Sequence, residues 1–197
     1  MIYWISYFLL TLFERFYFRT IFYGRENLPK IGNFILASNH ISNLDPFVLG
    51  LVARKRFSFI AKEELFKAPL LNFYFHQVGA FPIKRESADF RAIREALRRL
   101  KRGNPLVIFP EGTRGVAGRV KKINSGIGLL AIKSNLPVLP VYIKGTDKCL
   151  PDKAKWFKRA LVEVRIGKAL YFSAQQSYHE VAIQIMDGIQ SLIKSEK

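Results

Sequence analysis

The sequence predicts an α/β protein in which a mainly parallel sheet is flanked by helices. Two observations support this fold class. Short apolar runs typical of buried strands alternate along the chain with longer segments whose apolar residues recur at helical spacing. Polar clusters follow two of the apolar runs directly, and sites in α/β sheets gather at the carboxyl ends of strands. The length of 197 residues fits one domain with a single substantial core.

The amino-terminal segment predicts a helix that lies in a membrane interface. Residues 1–13 carry no charged side chain and are strongly aromatic, with Trp4 and Phe8 among them. A spanning helix needs about 20 consecutive apolar residues, and a signal peptide would begin with basic residues and end at a small-residue cleavage site. A core helix is the alternative. We therefore expect a membrane-associated helix at residues 1–23 and a second unit at residues 24–197.

The remaining strands and helices are predicted in order along the chain. Apolar or alternating runs predict strands at 34–37, 57–61, 106–109, 138–143 and 161–166. Helices are predicted at 46–53, 63–76 with a break at Pro69, 87–102, 126–134 and from Ser177 onward. The helices at 87–102 and after Ser177 are supported by helical spacing, and that at 126–134 by its small residues. The helix at 87–102 has Phe90 and Leu100 on its apolar face. Ser177 and Glu180 form a capping box that opens the last helix.

His40 and Asp45 follow the first of these strands and are candidate catalytic residues. A histidine can take a proton from a hydroxyl near neutral pH, and a carboxylate can orient the ring and stabilise its charged form. Asp45 also fits a purely structural role, because Asp followed by Pro46 is typical of an N-cap with proline at the first helical position. His40 has no equally good structural explanation.

A second polar cluster, residues 110–114, follows the strand at 106–109. It contains Gly112, which lets the backbone approach a ligand closely, and Arg114, whose planar guanidinium suits phosphate. Alone, such a cluster could be an exposed turn. Two clusters that each follow an apolar strand indicate one shared site.

These segments resemble the motifs of the glycerolipid acyltransferases, typified by 1-acylglycerol-3-phosphate acyltransferase. Residues 39–45 (Asn-His-x-x-x-x-Asp) and 109–114 (Phe-Pro-Glu-Gly-Thr-Arg) are similar to the first and third family motifs. Residues 79–85 and 136–141 resemble the second and fourth. The family often has a lysine pair just before a glycine after the third motif, whereas Asn124 and Ser125 precede the glycine here.

The resemblance implies an acyl transfer in which His40 is the base and Asp45 its partner. It places the phosphate of the acceptor against the second and third motifs. The implied substrate-binding residues are Arg85, Glu111, Gly112, Thr113 and Arg114, with the two arginines as phosphate ligands. A plain surface charge is the alternative for Arg85. The implied donor is acyl-CoA or acyl carrier protein, with no cofactor and no metal, and other lysophospholipids or lipid alcohols stay open as acceptors.

The charge indicates an anionic partner. The chain has 32 Lys and Arg against 15 Asp and Glu, a formal net charge of +17. Nucleic acid is a minor alternative because no zinc-finger or RNA-binding signature accompanies the charge, so anionic membrane lipids and phosphorylated substrates are expected. The single cysteine, Cys149, fits a reducing compartment, and we expect the protein at the cytoplasmic face of the cell membrane, peripheral or monotopic. A non-catalytic module that binds anionic lipid is the rival hypothesis.

Overall fold

Seven strands join into one sheet in the computed structural model, which describes residues 1–84, 89–112, 125–152, 154 and 156–194. The strands are β1 (Arg19–Tyr23), β2 (Ile35–Ser38), β3 (Ser58–Lys62), β4 (Ala80–Ile83), β5 (Leu106–Ile108), β6 (Val138–Lys144) and β7 (Leu161–Ile166). Their order across the sheet is β1-β7-β6-β2-β5-β3-β4. Strands β2 to β6 are mutually parallel, while β7 is antiparallel to β6 and pairs in parallel with β1. The prediction of an α/β fold with a mainly parallel sheet is confirmed.

Helices cover both faces of this sheet. They are α1 (Ile2–Tyr17), α2 (Asp45–Gly50), α3 (Pro69–Gln77), α4 (Phe90–Lys101), α5 (Gly126–Ser134), α6 (Thr146–Cys149) and α7 (Tyr178–Lys194). One apolar core cluster lies between the sheet and α1 and α2. The other lies between the sheet and α4, α5 and α7. The helix predicted at 63–76 is a 3₁₀ turn at Glu63–Phe66 followed by α3, so the break at Pro69 is confirmed.

Small residues and caps explain how the second helical layer packs. A Cβ on Gly128 would meet the backbone oxygen of Tyr178 at 1.9 Å, so only glycine lets α5 lie this close to the start of α7. The capping box is confirmed: the Ser177 N–H donates to Glu180 Oε2 at 3.1 Å, and the Glu180 N–H donates to Ser177 Oγ at 3.2 Å. Helix α4 buries Leu100 as predicted. Phe90, however, is 70% exposed, because alanines form the rest of the buried stripe.

The amino-terminal segment differs from its prediction. Helix α1 ends at Tyr17, and residues 19–23 form strand β1 at the edge of the sheet, where Arg19 pairs with Leu161. The prediction of helix over residues 19–23 is therefore wrong. The strand forms because β7 offers it a hydrogen-bonding edge, a partner that no local pattern in the sequence reveals.

One side of α1 packs on the domain while its other side is exposed. Tyr3 is buried, and its hydroxyl donates to the backbone oxygen of Lys55 at 2.8 Å and accepts from the N–H of Phe57 at 2.9 Å. The outward side carries large apolar residues, with Phe8 at 64% and Phe16 at 70% exposure. Among the described residues, no helix is both long and apolar enough to cross a membrane.

Candidate active site

His40 and Asp45 meet at the carboxyl edge of the sheet. Strand β2 ends at Ser38, so the chain turns at His40 just beyond the sheet, and α2 begins at Asp45. His40 Nδ1 lies 2.8 Å from Asp45 Oδ2. His40 is 9% exposed and Asp45 is fully buried. The two residues that the sequence predicted to be catalytic therefore form one hydrogen-bonded pair.

The carboxylate of Asp45 is held from both of its oxygens. Oδ2 also accepts from the backbone N–H of Ile41 at 2.7 Å and of Ser42 at 2.8 Å. Oδ1 accepts from the hydroxyl of Thr146 at 2.5 Å. The N-cap of α2 is Leu44 and has no side-chain cap. The alternative role of Asp45 as an N-cap is therefore not what the structure shows, because its carboxylate binds the preceding loop and His40.

Thr146 is a member of this site that the sequence analysis missed. It is fully buried and opens α6, which follows β6 at the same edge of the sheet as His40. Asn39 ties the histidine loop to β6, because its amide donates to the backbone oxygen of Ile143 at 2.9 Å and accepts from the Ile143 N–H at 2.8 Å. Gly145 alone separates Thr146 from the end of β6, so a polar residue close after a third buried strand was the available signal.

One ring nitrogen of His40, Nε2, is available to bind a proton from a substrate. A carboxylate only accepts hydrogen bonds, so the contact with Asp45 puts the proton on Nδ1 and a lone pair on Nε2. Nε2 makes no hydrogen bond within the described part of the chain. The ring stacks on Phe109, with centroids 4.1 Å apart and planes inclined by 20°. The ring is therefore fixed from one edge and one face, and can accept a proton at Nε2.

The second polar cluster reaches the same edge through β5. Burial, and to a smaller degree the charge of Asp45, raises the pKa of Glu111 from 4.5 to about 7. Gly112 has φ 67°, and its N–H donates to the backbone oxygen of Phe109 at 3.0 Å, which closes a tight turn. The structure thus brings Glu111 beside the histidine–aspartate pair. Arg85, Thr113 and Arg114 lie outside the described residues.

The sequence profile of the family described as Acyltransferase matches residues 19–144, which include His40, Asp45 and Glu111. The chain belongs to the acyltransferase family. The match begins at β1 and ends at the last residue of β6, so it covers most of the sheet and stops just before Thr146.

Individual relatives and one solved structure agree with the acyltransferase family. A chloroplastic 1-acyl-sn-glycerol-3-phosphate acyltransferase of Brassica napus is 30% identical over 80% of this chain and 46% of its own length. A 1-acyl-sn-glycerol-3-phosphate acyltransferase of Borreliella burgdorferi is 32% identical over 63% of this chain and 50% of its own. The chain thus spans about half the length of these relatives.

The crystal structure of the 1-acyl-sn-glycerophosphate acyltransferase PlsC from Thermotoga maritima superposes with a TM-score of 0.74. It is 33% identical in sequence and covers 97% of this chain and 78% of its own. The arrangement of sheet and helices described above is therefore similar to that of this acyltransferase.

The single cysteine of this chain is a buried, neutral thiol. Cys149 is fully buried at the end of α6, and its thiol contacts the backbone oxygen of Ala160 at 3.8 Å. Burial raises its pKa to about 11, so it stays protonated at neutral pH. Within the described ranges, no group of three or more His, Cys, Asp and Glu is placed to hold a metal ion.

Proposed function

We propose that the chain is an enzyme that moves a fatty acyl group from an acyl thioester to the free hydroxyl of 1-acylglycerol-3-phosphate, giving phosphatidic acid. The observation that carries this proposal is the contact of 2.8 Å between His40 Nδ1 and Asp45 Oδ2, which leaves Nε2 open at the carboxyl edge of the sheet. The choice of acceptor is supported by the names of the relatives, which are 1-acyl-sn-glycerol-3-phosphate acyltransferases, and we extend this acceptor to the present chain.

In the proposed reaction, His40 Nε2 takes the proton of the acceptor hydroxyl as that oxygen attacks the carbonyl carbon of the thioester. The new C–O bond forms and the C–S bond breaks. The thiolate leaves and takes up the proton that His40 received, so the enzyme returns to its starting state. The charge of Asp45 stabilises the imidazolium in between, and general-base catalysis of this kind contributes ~10²–10⁴-fold.

Direct transfer fits the chemistry of the site better than an acyl-enzyme. The sequence has no Gly-x-Ser-x-Gly elbow. The thiol of Cys149 is buried and protonated. A thioester is reactive enough toward an activated hydroxyl that the proposal requires no cofactor and no metal.

The family resemblance supplies the proposed acceptor pocket. Arg85 and Arg114 would bind the phosphate of the acceptor, and Glu111, Gly112 and Thr113 would shape the pocket around it. A charged hydrogen bond to phosphate is worth on the order of 1.5–3 kcal/mol. Arg114→Ala, and to a smaller degree Arg85→Ala, should therefore raise the KM for lysophosphatidate and leave the KM for the thioester nearly unchanged. A rise confined to the thioester KM would reverse the assignment of the two pockets.

The proposed donor is acyl-CoA or acyl carrier protein, both anionic, and the net charge of +17 suits either. We place the enzyme at the cytoplasmic face of the cell membrane, where its lipid substrates reside. The exposed apolar side of α1 supports this location, because apolar side chains at an interface gain free energy by burial in lipid.

The deciding experiment measures thiol release from an acyl thioester by the purified full chain, with and without lysophosphatidate in mixed vesicles. We expect acceptor-dependent release that His40→Ala lowers by about 10²–10⁴-fold. His179→Ala is the matched control, because this histidine is exposed on α7 and far along the chain from the motifs. Equal activity of the two variants would remove His40 as the base.

Two further readouts separate the alternatives. A protein that binds anionic vesicles and releases no thiol with any acceptor would be the non-catalytic lipid-binding module. A screen of lysophospholipids and lipid alcohols, with products identified by mass spectrometry, tests the acceptor itself. Preference for an acceptor without a phosphate monoester would replace lysophosphatidate while leaving acyl transfer in place.

A further inference from the structure

We propose that the protein has a second anion site, a pocket for a phosphate or diphosphate group at the edge of the sheet opposite His40. A cavity of about 170 Å³, here called the basic cleft, lies between the amino-terminal ends of three strands and the last turns of α4. The charged side chains that line it are those of Arg56, Glu95, Arg98, Arg99 and Arg102.

The position of the basic cleft separates it from the candidate active site. Its lining includes Ser58 at the start of β3, Gly79 just before β4, and Asn104 shortly before β5. His40 follows the end of β2, and β2 to β5 run parallel. The cleft therefore lies at the amino-terminal edge, and nothing that fills it can touch the Nε2 nitrogen of His40.

The charge of the lining is unbalanced. Among the described lining residues, four guanidinium groups face one carboxylate, that of Glu95. Glu95 is already bound by Arg98 at 2.5 Å and by Arg99 at 2.7 Å. Burial raises the pKa of Glu95, but the hydrogen bonds from Arg99 and Arg98 outweigh burial and lower it, so this carboxylate stays ionised. Arg56 and Arg102 add two further positive charges, and neither forms an ion pair with a carboxylate of the described residues.

Arg56 and Arg102 are the two donors that an anion would engage. One nitrogen of Arg56 donates to the backbone oxygen of Gln77 at 3.2 Å, which fixes the guanidinium and leaves its other N–H groups available. The side chain of Arg102 has no hydrogen bond and no ion pair with any described residue. The planar fork of a guanidinium matches the oxygens of a phosphate, so the cleft offers a phosphate several charged donors.

The floor of the cleft is fixed before any ligand arrives. Arg99 donates to the backbone oxygen of Gly79 at 2.7 Å and lies 4.7 Å above the ring of Phe81. Gly79 has φ 90°, and a Cβ there would meet the backbone oxygen of Phe57 at 2.2 Å. Only glycine allows this approach. A fixed floor reduces the entropy lost when an anion binds.

The size of the cavity selects the class of ligand. Its volume of about 170 Å³ is well above the ~10–15 Å³ that a single water needs, so one phosphate or diphosphate group can enter it. The rest of a larger molecule would lie outside. Such a group could belong to a soluble phosphate compound or to a lipid headgroup. The guanidinium of Arg56 lies 5.8 Å from the ring centroid of Tyr3, so the cleft adjoins α1, the helix that we propose contacts the membrane.

The test uses the full chain and two probes. Calorimetric titration with inorganic phosphate and diphosphate reports the soluble source. Flotation with phosphatidylcholine vesicles, with and without phosphatidic acid, reports the headgroup source. Arg102→Gln removes one charge from the cleft without removing any hydrogen bond within the described residues. Arg94→Gln is the matched control, because it removes the same charge from the exposed surface of α4, the helix that Arg102 directly follows.

We expect saturable binding of at least one probe that Arg102→Gln weakens about tenfold or more and that Arg94→Gln leaves nearly unchanged. Dependence on Arg102 with the soluble anions alone identifies a free phosphate compound, and dependence with the vesicles alone identifies a headgroup. Arg114→Gln should leave the Arg102-dependent binding intact, which separates this site from the proposed acceptor pocket. Equal effects of Arg102→Gln and Arg94→Gln on both probes would overturn the proposal.

Discussion

The hydroxyl of Thr146 should stabilise the folded protein through its hydrogen bond to Asp45. The donor and acceptor lie 2.5 Å apart, and both side chains are fully buried. Thr146→Val replaces the hydroxyl by a methyl group of similar size and leaves Oδ1 of a buried carboxylate without its donor. A hydrogen bond to a charged group contributes ~1.5–3 kcal/mol. For a chain of this length each kcal/mol lowers Tm by ~2–4 °C, so the expected loss is about 3–12 °C.

Two control variants isolate the hydrogen bond from the change of shape. Thr146→Ser keeps the hydroxyl and loses one methyl group, so it should be destabilised by only about 1 kcal/mol. Thr20→Val makes the same chemical change at a buried hydroxyl that has no hydrogen-bond partner within the described residues, and it should be neutral or stabilising.

The assay is thermal and chemical denaturation of the wild-type protein and the three variants, each followed by circular dichroism, which give Tm and the free energy of unfolding. We expect strong destabilisation of Thr146→Val alone. If Thr146→Val and Thr20→Val change the free energy of unfolding equally, the hydroxyl of Thr146 does not stabilise the protein through Asp45. The rate of acyl transfer by Thr146→Ser should exceed that of Thr146→Val, since Asp45 orients the histidine.

Three other predictions concern charge, covalent chemistry and membrane contact. The pKa of Glu111 is about 7 in the folded protein against 4.5 in the unfolded chain, so its contribution to stability is present below pH 4.5 and lost as pH rises through about 7. Denaturation at several pH values should therefore show the wild type losing stability relative to Glu111→Gln between pH 4.5 and about 7. A difference in the free energy of unfolding that stays constant over this range would contradict the prediction. Cys149→Ala should keep its acyl-transfer rate per folded molecule, whereas loss of turnover in soluble, folded protein would point to an acyl-enzyme. Replacing Phe8 and Phe16 by Gln should weaken the binding of the protein to floated vesicles roughly tenfold or more. Phe90→Gln is the control, because Phe90 has the same 70% exposure as Phe16, and it should bind as the wild type does. Equal flotation of the wild type, the double variant and Phe90→Gln would exclude α1 as the membrane contact.

Local patterns in the sequence were sufficient for elements that are specified locally. The helix at 126–134 and the strand at 161–166 have the predicted bounds. The strand has a clear alternation of buried and more exposed residues, and the helix is a run of small and apolar residues that ends at Asn135. The capping box of α7 is likewise local, since its two reciprocal hydrogen bonds join residues three apart.

The amino-terminal strand could not be predicted in the same way. An apolar run suits a helix or a strand equally, and residues 19–23 become a strand because β7, near the other end of the chain, lies beside them. Thr146 was missed for a related reason. A threonine after a strand is common, and its importance comes from the one buried carboxylate oxygen that it faces.

Periodicity, residue chemistry and spacing are properties of the chain alone. They were sufficient to predict the α/β class, the order of most elements, the catalytic candidates His40 and Asp45, and the excess of basic charge. The folded structure was needed to show which nitrogen of His40 is free, that Thr146 binds the second oxygen of Asp45, and that arginines from separate segments meet in the basic cleft. Those features depend on distances between residues far apart in sequence. They arise when parallel strands bring their ends to common edges of one sheet, and no local pattern encodes that meeting.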